Sequence, residues 1–135
     1  MRRALAVLVV VAFSGCANAA PSGMVEWAAY GGDPGGQKYS PLADINRENV
    51  DRLTLAWTWE TGEKPIPATD STKAARPGMF QATPIMVSDT LYLSTPFNRI
   101  VALDPATGVK YWEFDPGAYR PGQPSNGTGF VHRGV

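Results

Sequence analysis

Residues 80–114 read FQATPIMVSDTLYLSTPFNRIVALDPATGVKYWEF, a succession of short apolar runs broken by turn formers. The runs 81–87, 90–94 and 99–103 are separated only by Ser88-Asp89 and by residues 95–98, and a fourth, 109–114, follows the string DPATG. A parallel return to the same sheet needs a crossover of about a dozen residues, so linkers this short force each strand back antiparallel to the last. The spacing predicts an all-β chain built on a four-stranded meander. Such a sheet has two open edges and one small core, so it is marginal alone and calls for neighbouring sheets.

Ala102, Asp104, Gly108 and Trp112 stand in the pattern A-x-D-x-x-x-G-x-x-x-W across the last turn. Ala102 leaves room on its strand, Asp104 can accept turn amides, Gly108 can take a conformation closed to bulkier residues, and Trp112 returns a ring on the paired strand. An ordinary Asp-Gly hairpin makes much the same demands, so the motif by itself leaves open whether the ring docks on anything.

Upstream, LTLAWTWE (53–60) alternates with period two. Leu53, Leu55, Trp57 and Trp59 share one face, which predicts a half-buried strand. Before it, Asn46 can cap a short helical turn through Asp51, with Glu48 adding favourable charge, and Leu53 ends it. Residues 63–78 carry Pro65, Pro67 and Pro77 and read as a long excursion of the kind that often carries function. Residues 115–129 form a Gly/Pro-rich crossover, after which Phe130 and Val131 are expected to open another strand. The glycines of GGDPGGQK lack the spacing of a phosphate loop.

Fourteen Gly and twelve Pro with 18% charged residues suit many short strands and turns. Twelve basic residues balance twelve acidic ones, and no Lys/Arg cluster follows residue 20, so nucleic acid is not an expected partner. MRRALAVLVVVAFSGCANAA, at the start, has a basic head, a short apolar run and small residues: an export signal, too short for a membrane span. Two cleavage sites compete. Ala17-Asn18-Ala19 fits ordinary processing and Phe13-Ser14-Gly15-Cys16 approximates a lipobox that would attach a lipidated Cys16 to a membrane. A periplasmic location is expected either way, and no internal disulfide can form.

The docking string, the opening WAAYGGDPGGQKYSPLADINRENVDRLTLAWTWETGE and the run FQATPIMVSDTLYLSTPFNRIVALDPATG together resemble the quinoprotein dehydrogenases that use pyrroloquinoline quinone (PQQ). The resemblance covers about Trp27 to Val135. It implies the first blade of an eight-bladed β-propeller in which Trp112 staples one blade to the next. The organisation it implies is a signal peptide at 1–19, a lead-in at 20–52, and an incomplete propeller at 53–135 that is too short to work alone.

The same resemblance assigns cofactor contacts. Gln81 opens the first inner strand, and its amide can both donate to and accept from the oxygens of PQQ. Arg133 in VHRGV would bring a guanidinium to this tricarboxylate. His132, the only histidine, is expected to line the pocket. A Ca²⁺ ion beside PQQ would take its ligands from later blades, so no catalytic or metal-binding residue is assigned here. Where alcohol-oxidising members carry a vicinal cysteine pair this chain has Gly127 and Thr128, which leans toward the branch that oxidises sugars, polyols and cyclic acids. The expected partners are such a substrate and a quinone or cytochrome electron acceptor. The rival is a non-catalytic propeller lipoprotein that binds proteins in outer-membrane assembly.

Overall fold

The computed structural model describes residues 25–71 and 73–135; the export signal and Cys16 lie outside them. Four strands, β1 (Ile85–Val87), β2 (Thr90–Ser94), β3 (Ile100–Leu103) and β4 (Lys110–Phe114), form one antiparallel sheet in sequence order. The meander is the one the spacing predicts, with β1 starting at Ile85 rather than Gln81. The turns explain its register. Ser88 and Asp89 both take positive φ, 48° and 58°, as a two-residue turn matched to strand twist requires. Asn98 (φ 62°) closes the β2–β3 loop, where Thr95 N–H donates to Arg99 O at 2.9 Å.

Register sorts the side chains onto two faces. On one, Leu93, Val101 and Leu103 are buried and Leu91, Trp57 and Trp59 pack against them. On the other, Tyr92, Ala102 and Trp112 lie directly opposite one another across three strands, with the Tyr92 and Trp112 rings 5.9 Å apart. Alanine between two large rings lets them meet, and Ala102 is fully covered. A second cluster, Ala75, Phe97 and Phe130 with Ile66, Ala118 and Tyr119, lies beneath the loops.

Three expectations need correction. Residues 53–60 run extended but pair with no strand. Trp57 and Trp59 pack on the core while Leu53 and Leu55 stand 58% and 83% exposed, because no sheet edge among the described residues lies alongside to satisfy the backbone. Phe130 and Val131 likewise form no strand: Phe130 is drawn into the loop cluster, where its ring meets Phe97 edge-on at 5.5 Å. The helical turn is a single 3-10 turn, Val50–Arg52, and Asn46 accepts from Glu48 N–H at 3.0 Å just before it. Leu53 ends it as read. The irregular lead-in is tied to the sheet at two adjacent residues: Trp27 exchanges two 2.9 Å backbone hydrogen bonds with Met86 on the edge of β1, and Glu26 Oε1 accepts from Ser88 N–H at 2.9 Å.

Candidate functional site: a carboxylate-free cleft

Loops 63–78 and 115–131 are joined into one body, and the join positions the site. Glu63, its side chain 1% exposed, accepts from Thr95 Oγ1 at 2.5 Å and Phe97 N–H at 2.9 Å, fastening the start of the first loop to the β2–β3 turn. Arg99 Nε lies 3.6 Å from Glu63 and 3.5 Å from Asp115, bracing both loops by charge. Burial works to raise the Asp115 carboxyl, but Gly117 N–H, the Tyr119 hydroxyl, Arg99 and Arg120 outweigh it and hold it below the ordinary range. Further along, Gln123 Oε1 accepts from Arg76 N–H at 2.8 Å, Gln123 N–H donates to Ala74 O at 3.0 Å, and Gly78 N–H donates to Pro96 O at 3.0 Å.

Between these loops and the entry to β1 lies an open cleft of about 790 Å³, within the ~300–1,000 Å³ usual for small-molecule sites. Gln81, His132 and Arg133 all line it. The structure thus brings the three sequence-derived candidates to one place, and the backbone shows how: Thr83 N–H donates to Arg133 O at 3.1 Å, and the buried Ser94 hydroxyl donates to Gly134 O at 2.6 Å. The cleft's other walls include Arg76, Gly127 and Thr128, and among the described residues no Asp or Glu lines it.

Its chemistry follows from the groups. Gln81 is exposed and, among the described residues, its amide touches only Met79 Sδ, at 4.0 Å, leaving its hydrogen-bonding capacity for an occupant. His132 Nδ1 sits 3.0 Å from Phe130 O; a carbonyl only accepts, so Nδ1 is the donor in this contact. Nε2 is buried and has no hydrogen-bond partner among the described residues. A cationic cleft with an amide and no acid fits a polycarboxylate such as PQQ. It does not fit Ca²⁺: among the described residues, no three His, Cys, Asp or Glu gather to hold a metal.

The docking string has definite geometry. Asp104 Oδ1 accepts from Ala106 N–H, Thr107 N–H and the Thr107 hydroxyl at 2.7–2.9 Å, and Oδ2 accepts from the Tyr111 hydroxyl at 2.7 Å. Hydrogen bonding from Tyr111 and Thr107 holds its carboxyl below the usual range. Gly108 has φ 72°, and a Cβ there would stand 2.5 Å from Trp57 Cε3. The ring resting on this turn is therefore Trp57, whose Nε1 donates to Pro105 O at 3.1 Å. Trp112 is 46% exposed. Reading the motif alone misses Trp57, although a signal existed: Trp57-Thr58-Trp59-Glu60-Thr61-Gly62 parallels Trp112-Glu113-Phe114-Asp115-Pro116-Gly117, and both closing glycines have φ 66°.

Residues 27–135 match the family model described as PQQ: glucose/ethanol/alcohol dehydrogenase, β-propeller domain. The chain belongs to this family, whose cofactor is PQQ, and its meander is part of a β-propeller. Among curated proteins it is 43% identical over 93 residues to a quinoprotein glucose dehydrogenase of Escherichia coli. It is 41% identical over 87 residues to the glycerol dehydrogenase large subunit of Gluconobacter oxydans, and 36% over 89 to a quinate/shikimate dehydrogenase (quinone) of Acinetobacter baylyi. These matches cover 67%, 64% and 66% of this chain but only 11%, 11% and 10% of the respective relatives.

Proposed function

We propose that this chain forms one wall of the PQQ pocket in an exported, periplasmic dehydrogenase that oxidises a sugar, polyol or cyclic hydroxy acid. The observation that carries the proposal is the convergence of Gln81, His132 and Arg133 on a cleft with no carboxylate in its lining. Bound PQQ supplies the two-electron acceptor for substrate oxidation. Arg133 pairs its planar guanidinium with a carboxylate, and the Gln81 amide donates to one oxygen while accepting from a neighbouring group. His132 forms part of the cleft lining, its ring fixed by the contact of Nδ1 with the Phe130 carbonyl. Ca²⁺ ligands and the proton-abstracting base come from other parts of the full-length polypeptide, so this segment is inactive alone.

The substrate branch follows the printed names of the relatives and the residues Gly127 and Thr128, which cannot make a disulfide against the cofactor. A quinone is the favoured electron acceptor, on the name of the quinate/shikimate relative. Trp112 repeats the sequence setting of Trp57, so it rests on a turn of the following blade of an eight-bladed ring as Trp57 rests on Gly108. A concave cationic cleft favours the enzyme over a protein-binding scaffold, and Cys16 lipidation would only add an anchor.

Reconstitution of the full-length apoprotein with PQQ, followed by quenching of tryptophan emission, tests this reading. A charge-assisted hydrogen bond contributes about 1.5–3 kcal/mol, so Arg133→Gln should weaken PQQ binding by roughly tenfold to a hundredfold. Unchanged affinity in that variant, or no saturable binding by the wild type, refutes the reading.

A further inference from the structure

A second arginine lines the cleft, one that the sequence reading does not single out. Arg76, in the loop 63–78, lines it together with Arg133. We propose that Arg76 is a second anion anchor of this pocket, holding a carboxylate of PQQ separate from the one paired with Arg133. The inference rests on the PQQ reading above and deepens it.

Three observations carry it. The first is electrostatic. Arg99 illustrates how this chain uses an arginine structurally, surrounding it with Glu63, Glu113 and Asp115 within 3.3–3.6 Å. Among the described residues, Arg76 and Arg133 have no such carboxylates within ion-pair distance, and no acid lines the cleft. Two exposed arginines lining one cleft without an acid give it a positive potential, which an occupant with more than one negative group matches most fully.

The second observation is positional. The Arg76 backbone is not loose: its N–H is held by Gln123 Oε1 at 2.8 Å, and the flanking Ala74 carbonyl receives Gln123 N–H at 3.0 Å. Pro77 follows, which confines residue 76 to extended backbone. Gly78 is tied to Pro96 O, and a Cβ on it would stand 3.0 Å from Phe130 C and Val131 N, so this segment lies directly against the backbone leading to His132 and Arg133. The third is chemical. The guanidinium fork matches a carboxylate in two parallel hydrogen bonds, and PQQ carries three carboxylates, so a pocket with one arginine leaves part of its charge unmatched on this side.

The test is reconstitution of the full-length apoprotein with PQQ and, separately, with PQQ trimethyl ester, which keeps the ring system and loses the carboxylates. Wild type, Arg76→Gln and Arg76→Lys are compared by quenching of tryptophan emission at two salt concentrations. Arg76→Gln should weaken PQQ binding at least tenfold, flatten its salt dependence and leave ester binding unchanged; Arg76→Lys should recover part of the loss. Equal PQQ affinity in wild type and Arg76→Gln overturns the inference while leaving the PQQ reading intact. An equal loss for PQQ and ester also overturns it, since the effect is then not on a carboxylate. No saturable binding by the wild type sinks the underlying reading as well. Thermal melts of the apo variants verify folding, which the exposed position of Arg76 should leave unaltered.

Discussion

Substituting Gly108 by alanine tests whether the Trp57 ring truly seats on this turn. Two costs are separable. A non-glycine residue at φ 72° costs about 1 kcal/mol by backbone strain alone. The new methyl would sit 2.5 Å from Trp57 Cε3 and 2.7 Å from Cδ2, whereas carbon atoms settle at about 3.5–4.0 Å. The ring must retreat by roughly 1 Å. Retreat breaks the 3.1 Å bond from Nε1 to Pro105 O, about 1 kcal/mol, and opens the packing against Leu93, Val101 and Leu103, about another 1 kcal/mol. Gly108→Ala should therefore destabilise the full-length protein by about 3 kcal/mol in urea unfolding read by tryptophan emission. In a Trp57→Ala background the ring is gone and only the backbone cost of about 1 kcal/mol should remain, a coupling of about 2 kcal/mol in the double-mutant cycle. An identical cost of Gly108→Ala in both backgrounds would refute the reasoning.

Three further outcomes follow from the loops and the turn. Glu63→Ala strands the Phe97 N–H and the Thr95 hydroxyl and removes a partner of Arg99; it should cost about 3 kcal/mol and admit proteolytic cuts within residues 63–78, and a wild-type cleavage pattern would count against the clamp. Acid should loosen the protein through Asp104 and Asp115: both carboxyls are held below the ordinary value of 3.8, so the stability they contribute is complete above it and is lost as pH falls through their lowered values. Melting temperature measured from pH 5 downward should drop less steeply in Asp104→Asn than in the wild type, and parallel curves would show that the turn carboxylate plays no part. At the alkaline end the sign reverses for Tyr111, whose hydroxyl is raised above 10.0 chiefly by its bond to Asp104, so that contribution persists below pH 10 and fades as pH rises through the raised value.

The sequence by itself determined the meander, because alternation and turn chemistry are local: Ser88-Asp89 and the Asp104–Gly108 turn dictate reversals whatever surrounds them. It also named Gln81, His132 and Arg133, through a resemblance carried by short strings. What it could not supply was pairing. Residues 53–60 have a strand's pattern, yet a strand exists only where another edge meets its backbone, and none among the described residues does. Phe130 and Val131 have a strand's composition, yet burial of the Phe130 ring beside Phe97 settled their conformation. The partner of Gly108 and the place of Arg76 in the same cleft as Arg133 belong to the tertiary structure alone: both depend on segments far apart in the chain meeting in space, and no local periodicity encodes that distance.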